Sequence, residues 1–600
     1  MYPQTKIEIN DQSKYTPITI ASSKYAPTNM AGFLADRGTE EVGVWTGQEW
    51  YNMFGKNIDV KKYGQGIKQC ADVIDRGGSI FGKRLVASNA TLPNLGVYVQ
   101  LSVSIIPDTD PVQRQVTLRY KSLAIDTNST DMDKAITLFE AGVPASDSAA
   151  GIFNIPLFIV TAKGRGSYAP RFKITPDYRF SRAAGFGKYL IEIIDPKGDT
   201  QYDESIYFSM NPDKIEKNKN ISLDMSVERY SNLISVSLVE DNIKFMWNTM
   251  ETALGLAEDE LANMDFIFGK DLRGESLDNI IVDFSEFNLS EAFGNQLLNG
   301  SDGDFAEYPL ESSEYEDQLL KLFNGSASES IYNLDSVAID FVIDANYPDK
   351  VKRAIEEFVS YRQDCFYMRD LGLDVEGIVE VEVKEKNVLH NYLSGSYCNS
   401  MEVLDPSTKR YIHVTIMYLI TPLLVSHFIN GCARPFAGLK YGVYWIIGAD
   451  IRKNSINFIP RVTPYVDEKQ TLDDLGVNYV SIYNGTRAVL ETFYTAQHSV
   501  SNTSFDYSYN VWAVQSVIKT LRKECPKSRY SFLRGSDFTD YQNDIERVLD
   551  KHRSQFLSFT FQYLGDAQYE AQNIYYAGIS VQCMPVGQAE WFKITVLPLN

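Results

Sequence analysis

The stretch SVAIDFVIDANYPDKVKRAIEEFVSYRQDC (Ser336–Cys365) runs an apolar strand of buried type into Asp344 and then changes period. Pro348 carries the fixed φ that suits a helix start, and Val351, Ile355, Phe358 and Val359 then fall on one helical face. Strand into helix is one αβ unit. A second unit lies far upstream. In YGQGIKQCADVIDR the apolar Ile67, Cys70, Ala71 and Ile74 keep helical spacing, Gly77 and Gly78 stop the helix, and IFGKRLVAS reads as a strand. Two such units, one early and one late, predict a core assembled from both parts of the chain.

Between them the text is strand-like: GVYVQLSVSII, RQVTLRYKSLAI, FNIPLFIVTA, KYLIEII and NLISVSLV, separated by Gly, Pro, Asp and Asn. Residues from about 244 to 330 are acidic and rich in Gly, Ser and Asn, and read as a loop-rich insertion with short helical pieces. Further on, Val514, Val517, Ile518 and Leu521 line one amphipathic helix, and Ile545, Val548, Leu549, His552 and Phe556 line another. The fold expected is α+β and multidomain, with α/β sandwich core domains formed by the N-terminal and C-terminal parts of the chain, a mostly β insertion and extended terminal arms. The divisions are an arm at 1–30, the first part of the core at 31–95, the β-rich insertion with its acidic segment at 96–330, the second part of the core at 331–440, a C-terminal α/β domain at 441–575 and a terminal strand at 576–600.

Both ends read as strands. TKIEI, with Ile7 and Ile9, precedes TPITI in a segment with too little apolar material for a core. At the other end Phe592, Ile594 and Val596 alternate with Lys593 and Thr595. Such a strand can complete its own sheet or pair with the edge of a neighbouring molecule, where backbone hydrogen bonds supply affinity.

Bulk properties exclude several functions. The chain has 600 residues and a formal charge of −21, from 57 basic and 78 acidic side chains, with no long Lys/Arg cluster. Direct nucleic-acid binding needs clustered positive charge and is not expected. The longest apolar run, YLITPLLVSHFI, is cut by Pro422 and His427, and the start has no basic head leading into an apolar stretch, so neither membrane insertion nor a signal peptide is expected. The six cysteines are widely spaced, without a CxxC pair, and are expected as free thiols in a reducing compartment.

Three motifs suggest chemistry and fail on inspection. GGSIFGKR (Gly77–Arg84) matches a phosphate-binding loop up to Lys83, but Arg84 stands where Ser or Thr would hold magnesium, and a helix precedes the glycines where a strand should. GRGSYAPRF (Gly164–Phe172) lacks the third glycine of a cofactor loop. NGSDGDF (Asn299–Phe305) offers Asp302 and Asp304 as oxygen ligands, but the bidentate Glu of a calcium loop is out of register. His390, His413, His427, His498 and His552 show no metal spacing and adjoin no nucleophile motif, and the paired Asp473 and Asp474 read as a solvated face. No catalytic residue, cofactor or metal is expected, and the chain is not expected to be an enzyme. A β-rich adhesin or carbohydrate-binding virion protein is the alternative from a different class, given 37 tyrosines.

Taken in order, these segments resemble contractile tail sheath proteins, particularly those of large phages. FGKNIDVKKYGQ (Phe54–Gln65) and GGSIFGKRLVASNAT (Gly77–Thr91) resemble the family's helix, double glycine and strand. GRGSYAPRF and NGSDGDF are similar to its Gly-Lys/Arg-Gly-x-Tyr and Gly-Ser-Asp-Gly segments. Further resemblance lies in VAIDFVIDANYPDKVKRAI, the Arg362–Cys365 tetrapeptide, VLDPSTKRYIHVTIMYLITPLLVSHF, ARPFAG, TLDDLGVNYV and PVGQAEWFKITVLPLN. The Pro-Gly-Val-Tyr opening common in the family is missing, and Lys83 and Arg84 replace its usual Val-Val-Arg. The resemblance implies a homo-oligomer of stacked hexameric rings around a tail tube protein, with baseplate and tail terminator proteins as further partners. The particle would be assembled in the host cytoplasm and function in the virion tail. It implies a sleeve that contracts to drive the tube through the host envelope, with Ile7, Ile9, Phe592, Ile594 and Val596 in arms that join a neighbour's sheet. The sheath of a non-phage injection system is a second owner of the same design.

Overall fold

The computed structural model describes residues 26–585 except 57–58, 108–112, 148, 177–188, 210–211, 244–279, 284–295, 326–330, 334–336, 376, 406–408, 431–436, 439–443, 447–457, 461–465, 485–486, 501–502, 525–534 and 565–577. Strand β1 (Thr28–Phe33) shows why the core forms from distant parts of the chain. Met30 and Leu34 enter the apolar cluster on one side of the sheet, whereas Ala31 and Phe33 enter a second cluster on the other side. A strand buried on both faces needs parallel neighbours and helices above and below. Helix α1 (Gln65–Asp75) and β3 (Ser79–Arg84) supply them on one side, with β1 and β3 parallel from Thr28↔Ser79 to Phe33↔Arg84, while β2 (Gly43–Thr46) pairs antiparallel with the far edge of β3. The helix that ends before Gly77 and the strand that follows Gly78 match the sequence reading of this segment.

The chain then leaves the core and builds a β-rich module. Strands β4 (Asn94–Ile106), β5 (Gln113–Leu123), helix α2 (Met132–Gly142) and β6 (Ile152–Ala162) come first, then β7 (Arg171–Pro176), β8 (Tyr189–Ile194), β9 (Glu204–Phe208), β10 (Ile234–Leu238) and β11 (Ile280–Asp283). The five-stranded sheet β10-β6-β4-β5-β11 is antiparallel except that β11 runs parallel to β5. From Val97 to Val99 the side chains of β4 alternate between two clusters. Val97, Val99 and Leu101 face the three-stranded sheet β7-β8-β9, whereas Tyr98 meets α2 through Phe139. Of the second sheet only β8 shows in the sequence, as KYLIEII; β7, β9 and α2 carry no such signal, and β11 replaces part of the expected loop with a strand. Its neighbours supply the pairing that a four-residue apolar segment alone does not announce.

The chain returns to the core beside its point of departure. Thr91 bridges Ser301, and Asn94 and Leu298 exchange backbone hydrogen bonds of 2.9 and 3.0 Å. Helix α3 (Ser313–Phe323), also inside the segment read as loop, packs Leu319 and Phe323 into the core. Strand β12 (Phe341–Val342), helix α4 (Asp349–Arg362), β13 (Phe366–Asp370), helix α5 (Ile378–Glu385), β14 (Ser394–Tyr397), helix α6 (Met417–Asn430) and β15 (Val477–Asn478) follow. They complete a seven-stranded sheet, β2-β3-β1-β12-β13-β14-β15, parallel apart from β2. α6 runs through Pro422, and its Leu419, Leu424 and Phe428 are buried, so a short apolar run read as interrupted is a core helix.

Helix α7 (Ser508–Glu524) buries Trp512 against Phe341, Phe366, Phe428 and Phe493. The next helix ends at Leu549, so His552 and Phe556 do not continue its apolar face. His552 sits in a following 3-10 turn, with Ser516 Oγ at 3.2 Å and Thr520 Oγ1 at 2.8 Å on its two ring nitrogens, and Phe556 opens a strand. That strand, β16 (Phe556–Leu564), pairs antiparallel with β17 (Gly578–Pro585), and among the described residues the two form a sheet of their own. Ile7, Ile9, Phe592, Ile594 and Val596 lie outside the described residues.

Candidate functional site

Segments that the sequence singled out at Gly77–Thr91, Gly164–Phe172 and Asn299–Phe305 meet at one joint between the core and the β-rich module. Arg84, last residue of β3, is 3% exposed and donates from Nε to Ala35 O at 2.9 Å and from Nη1 to Gly38 O at 3.0 Å. Burial lowers its pKa, against the opposing pull of Glu40, Asp36 and Asp302. Arg165 closes the other side. Its Nε and Nη2 fork onto Glu40 at 3.0 to 3.1 Å and 2.5 Å, and its backbone N–H reaches Glu40 Oε1 at 3.0 Å. Burial would raise the Glu40 carboxyl, but the Arg165 hydrogen bonds and charge outweigh it and hold the group below the usual carboxylate range.

Asp302 is the third anchor. It accepts from Ser167 N at 2.8 Å, Ser167 Oγ at 2.7 Å and Lys62 Nζ at 3.3 Å. These donors overcome burial and lower its pKa. Asp304 accepts from Asn89 Nδ2 at 3.0 Å, while Asn89 Oδ1 accepts from Asp304 N at 3.0 Å. The two carboxylates considered as calcium ligands are therefore engaged by protein donors. Beside them Arg37, 5% exposed, donates to Tyr168 at 2.6 Å and Asp195 at 3.3 Å, with its guanidinium carbon 4.4 Å from the Tyr202 ring centre.

The glycines allow this closeness. A Cβ on Gly164 would lie 2.1 Å from Gly38 O, and Gly166, at φ +134°, passes between Arg84 and Asp302. The space that a phosphate loop or cofactor loop opens to its ligand is filled here by backbone and by Arg84. The motifs are legible as a glycine pattern, but their partners Arg37 and Glu40 were missed. Their only local signal is the charged run ADRGTEE beginning at Ala35.

The other candidates are dispersed. His390 lies 3.1 Å from Ala496 O, His498 stacks 3.9 Å from the Tyr494 ring and His552 sits 8% exposed between two hydroxyls. Asp474 accepts from Gln470 at 3.0 Å. Cys70, Cys365 and Cys398 are free and buried. Among the described residues no group of three His, Cys, Asp or Glu is placed to hold a metal, and no helix is long and apolar enough to cross a membrane.

No protein-family model matches the chain, and no curated protein matches it. Similar solved structures include the sheath tail protein of Desulfitobacterium hafniense (9% identity, TM-score 0.42, 94% of each chain). Another is a sheath tail protein of Listeria innocua (7% identity, TM-score 0.46, 94% of this chain and 96% of that one). The anti-feeding prophage baseplate is similar over 56% of this chain and 86% of that one, at 13% identity and a TM-score of 0.36. The structural neighbours of this chain are thus sheath tail proteins and components of contractile injection systems.

Proposed function

We propose that the chain is a structural subunit of a contractile tail sheath, polymerising around a tail tube and contracting to drive it through an envelope, without catalysis. The observation that carries this reading is the joint. Segments quoted for the sequence resemblance, scattered between Phe54 and Phe305, converge on one set of ion pairs and glycine contacts, and their loops are filled by protein. In this reading the joint holds the β-rich module on the core while the lattice rearranges.

The β16–β17 pair supports the assembly mechanism. Among the described residues this sheet has two strands, which is marginal by itself, and a further strand from a neighbouring subunit would stabilise it through backbone hydrogen bonds. In this reading the terminal segments with Ile7, Ile9, Phe592, Ile594 and Val596 supply such strands and tether subunits of stacked hexameric rings as the lattice rearranges. Tail tube, baseplate and terminator proteins are the remaining partners, and the virion tail is the location. Extended and contracted lattices are two states of one assembly, with the energy stored in the extended form and a barrier between them.

Negative-stain microscopy of the expressed chain tests this. Hollow, striated tubes are expected. A monodisperse monomer across salt and protein concentration would sink the proposal.

A further inference from the structure

Asp344 and Asp370 follow and end the neighbouring parallel strands β12 and β13, at the carboxyl edge where open α/β sheets commonly place ligands. Here the position is closed by protein. Lys352 of α4 donates to Asp370 Oδ1 at 2.6 Å and Asp370 O at 2.7 Å, and lies 3.7 Å from Asp344 Oδ2. Tyr367 donates to Asp344 Oδ2 at 2.5 Å, Asp370 N to the same oxygen at 3.1 Å, and Thr415 Oγ1 to Asp370 Oδ2 at 3.0 Å. One helical turn along α4 from Lys352, Glu356 accepts from Arg369 at 2.7 Å and from Leu389 N at 3.3 Å. Glu385, at the end of α5, accepts from Ser396 Oγ of β14 at 3.3 Å through one oxygen, while its Oε2 has no hydrogen-bond partner among the described residues.

These side chains are 0 to 2% exposed, and four carboxylates face two buried cations, Lys352 and Arg369. Among the described residues the other charged group in reach is Arg353, 47% exposed at the rim, 3.9 Å from Glu356 Oε2. The remaining titratable groups against the cluster are Tyr315 on α3, Tyr347 on the loop before α4, Tyr367 on β13 and Cys398 after β14, all neutral with their pKa values raised chiefly by burial. Even with Arg353 counted, one carboxylate is uncompensated. A carboxylate stripped of water and lacking a cation is stabilised by taking up a proton.

We propose that this cluster is a proton-loaded lock: with α4 and α5 seated on the sheet it holds at least one proton on Glu385 or Asp344, and losing that proton in alkaline medium loosens the two helices. Burial, only partly offset by Ser396 and Arg369, pushes the Glu385 carboxyl up to about 7. Burial and the adjacent Asp370 raise Asp344 in the same direction. A carboxyl raised on folding contributes stability that is complete below its unfolded value and is lost as pH rises through its folded value. The inference does not depend on the sheath reading.

The test is urea unfolding of the full chain between about pH 5.5 and 8.5, beside Glu385→Gln and Asp344→Asn. One carboxyl moved from about 4.3 to about 7 lowers the folding constant about thirtyfold across that range. At least one of the two variants is expected to remove most of that fall. If both follow the slope of the parent chain, the proposal is wrong. Should the variants fail to fold, infrared difference spectra of the parent chain decide. A neutral buried carboxyl band that disappears at the alkaline end supports the lock, and its absence overturns it.

Discussion

Gly164 illustrates what one residue decides. With the place of a Cβ occupied by a backbone carbonyl, Gly164→Ala is expected to destabilise the chain by about 1 to 3 kcal/mol in urea titration, because backbone cannot rotate away as a side chain can. Arg165→Ala is expected to cost about 1 to 3 kcal/mol, leaving Glu40 partly buried and unpaired, and Arg165→Lys to recover only part, since an ammonium cannot make the fork. Glu40 also gives a sign in pH. A carboxyl lowered on folding stabilises above its unfolded value and loses that contribution as pH falls, so Arg165→Ala should flatten the acid limb of the stability curve. Of this site the sequence made the glycines readable, because they are rare punctuation with few uses. Arg37 and Glu40 were not readable, because their partners stand more than a hundred residues away.

At the scale of elements, apolar period located α1, α4, α7 and the strands β4, β5, β6, β8 and β10. It passed over β13, whose text FYMRD looks like a surface segment although all five residues are buried. Arg369 and Asp370 can lie there only because Glu356 and Lys352 of α4 neutralise them, and such pairing has no local period. Lys352→Ala is therefore expected to cost about 3 to 5 kcal/mol in chemical denaturation, since it strands two buried carboxylates. Helix ends were the weaker reading: apolar spacing carried past Leu549 into His552 and Phe556, where the chain turns and becomes a strand.

For the whole molecule, the α+β class and a core drawn from two parts of the chain were legible, because strands buried on both faces occur early and late. The second sheet of the β-rich module was not, since its strands are short and their registers are set by one another. If the ends tether subunits, removing residues 586–600 should abolish tubes in the microscope while leaving the main thermal transition within a few degrees of the parent chain. Loss of that transition would instead place the segment in the fold of its own subunit.

The chain departs for the β-rich module at Thr91 and comes back at Ser301, two residues joined by a single bridge. A cassette whose two leads emerge side by side can be enlarged, trimmed or exchanged without stretching its host. A foreign domain grafted through this doorway would leave the parallel sheet beneath in register.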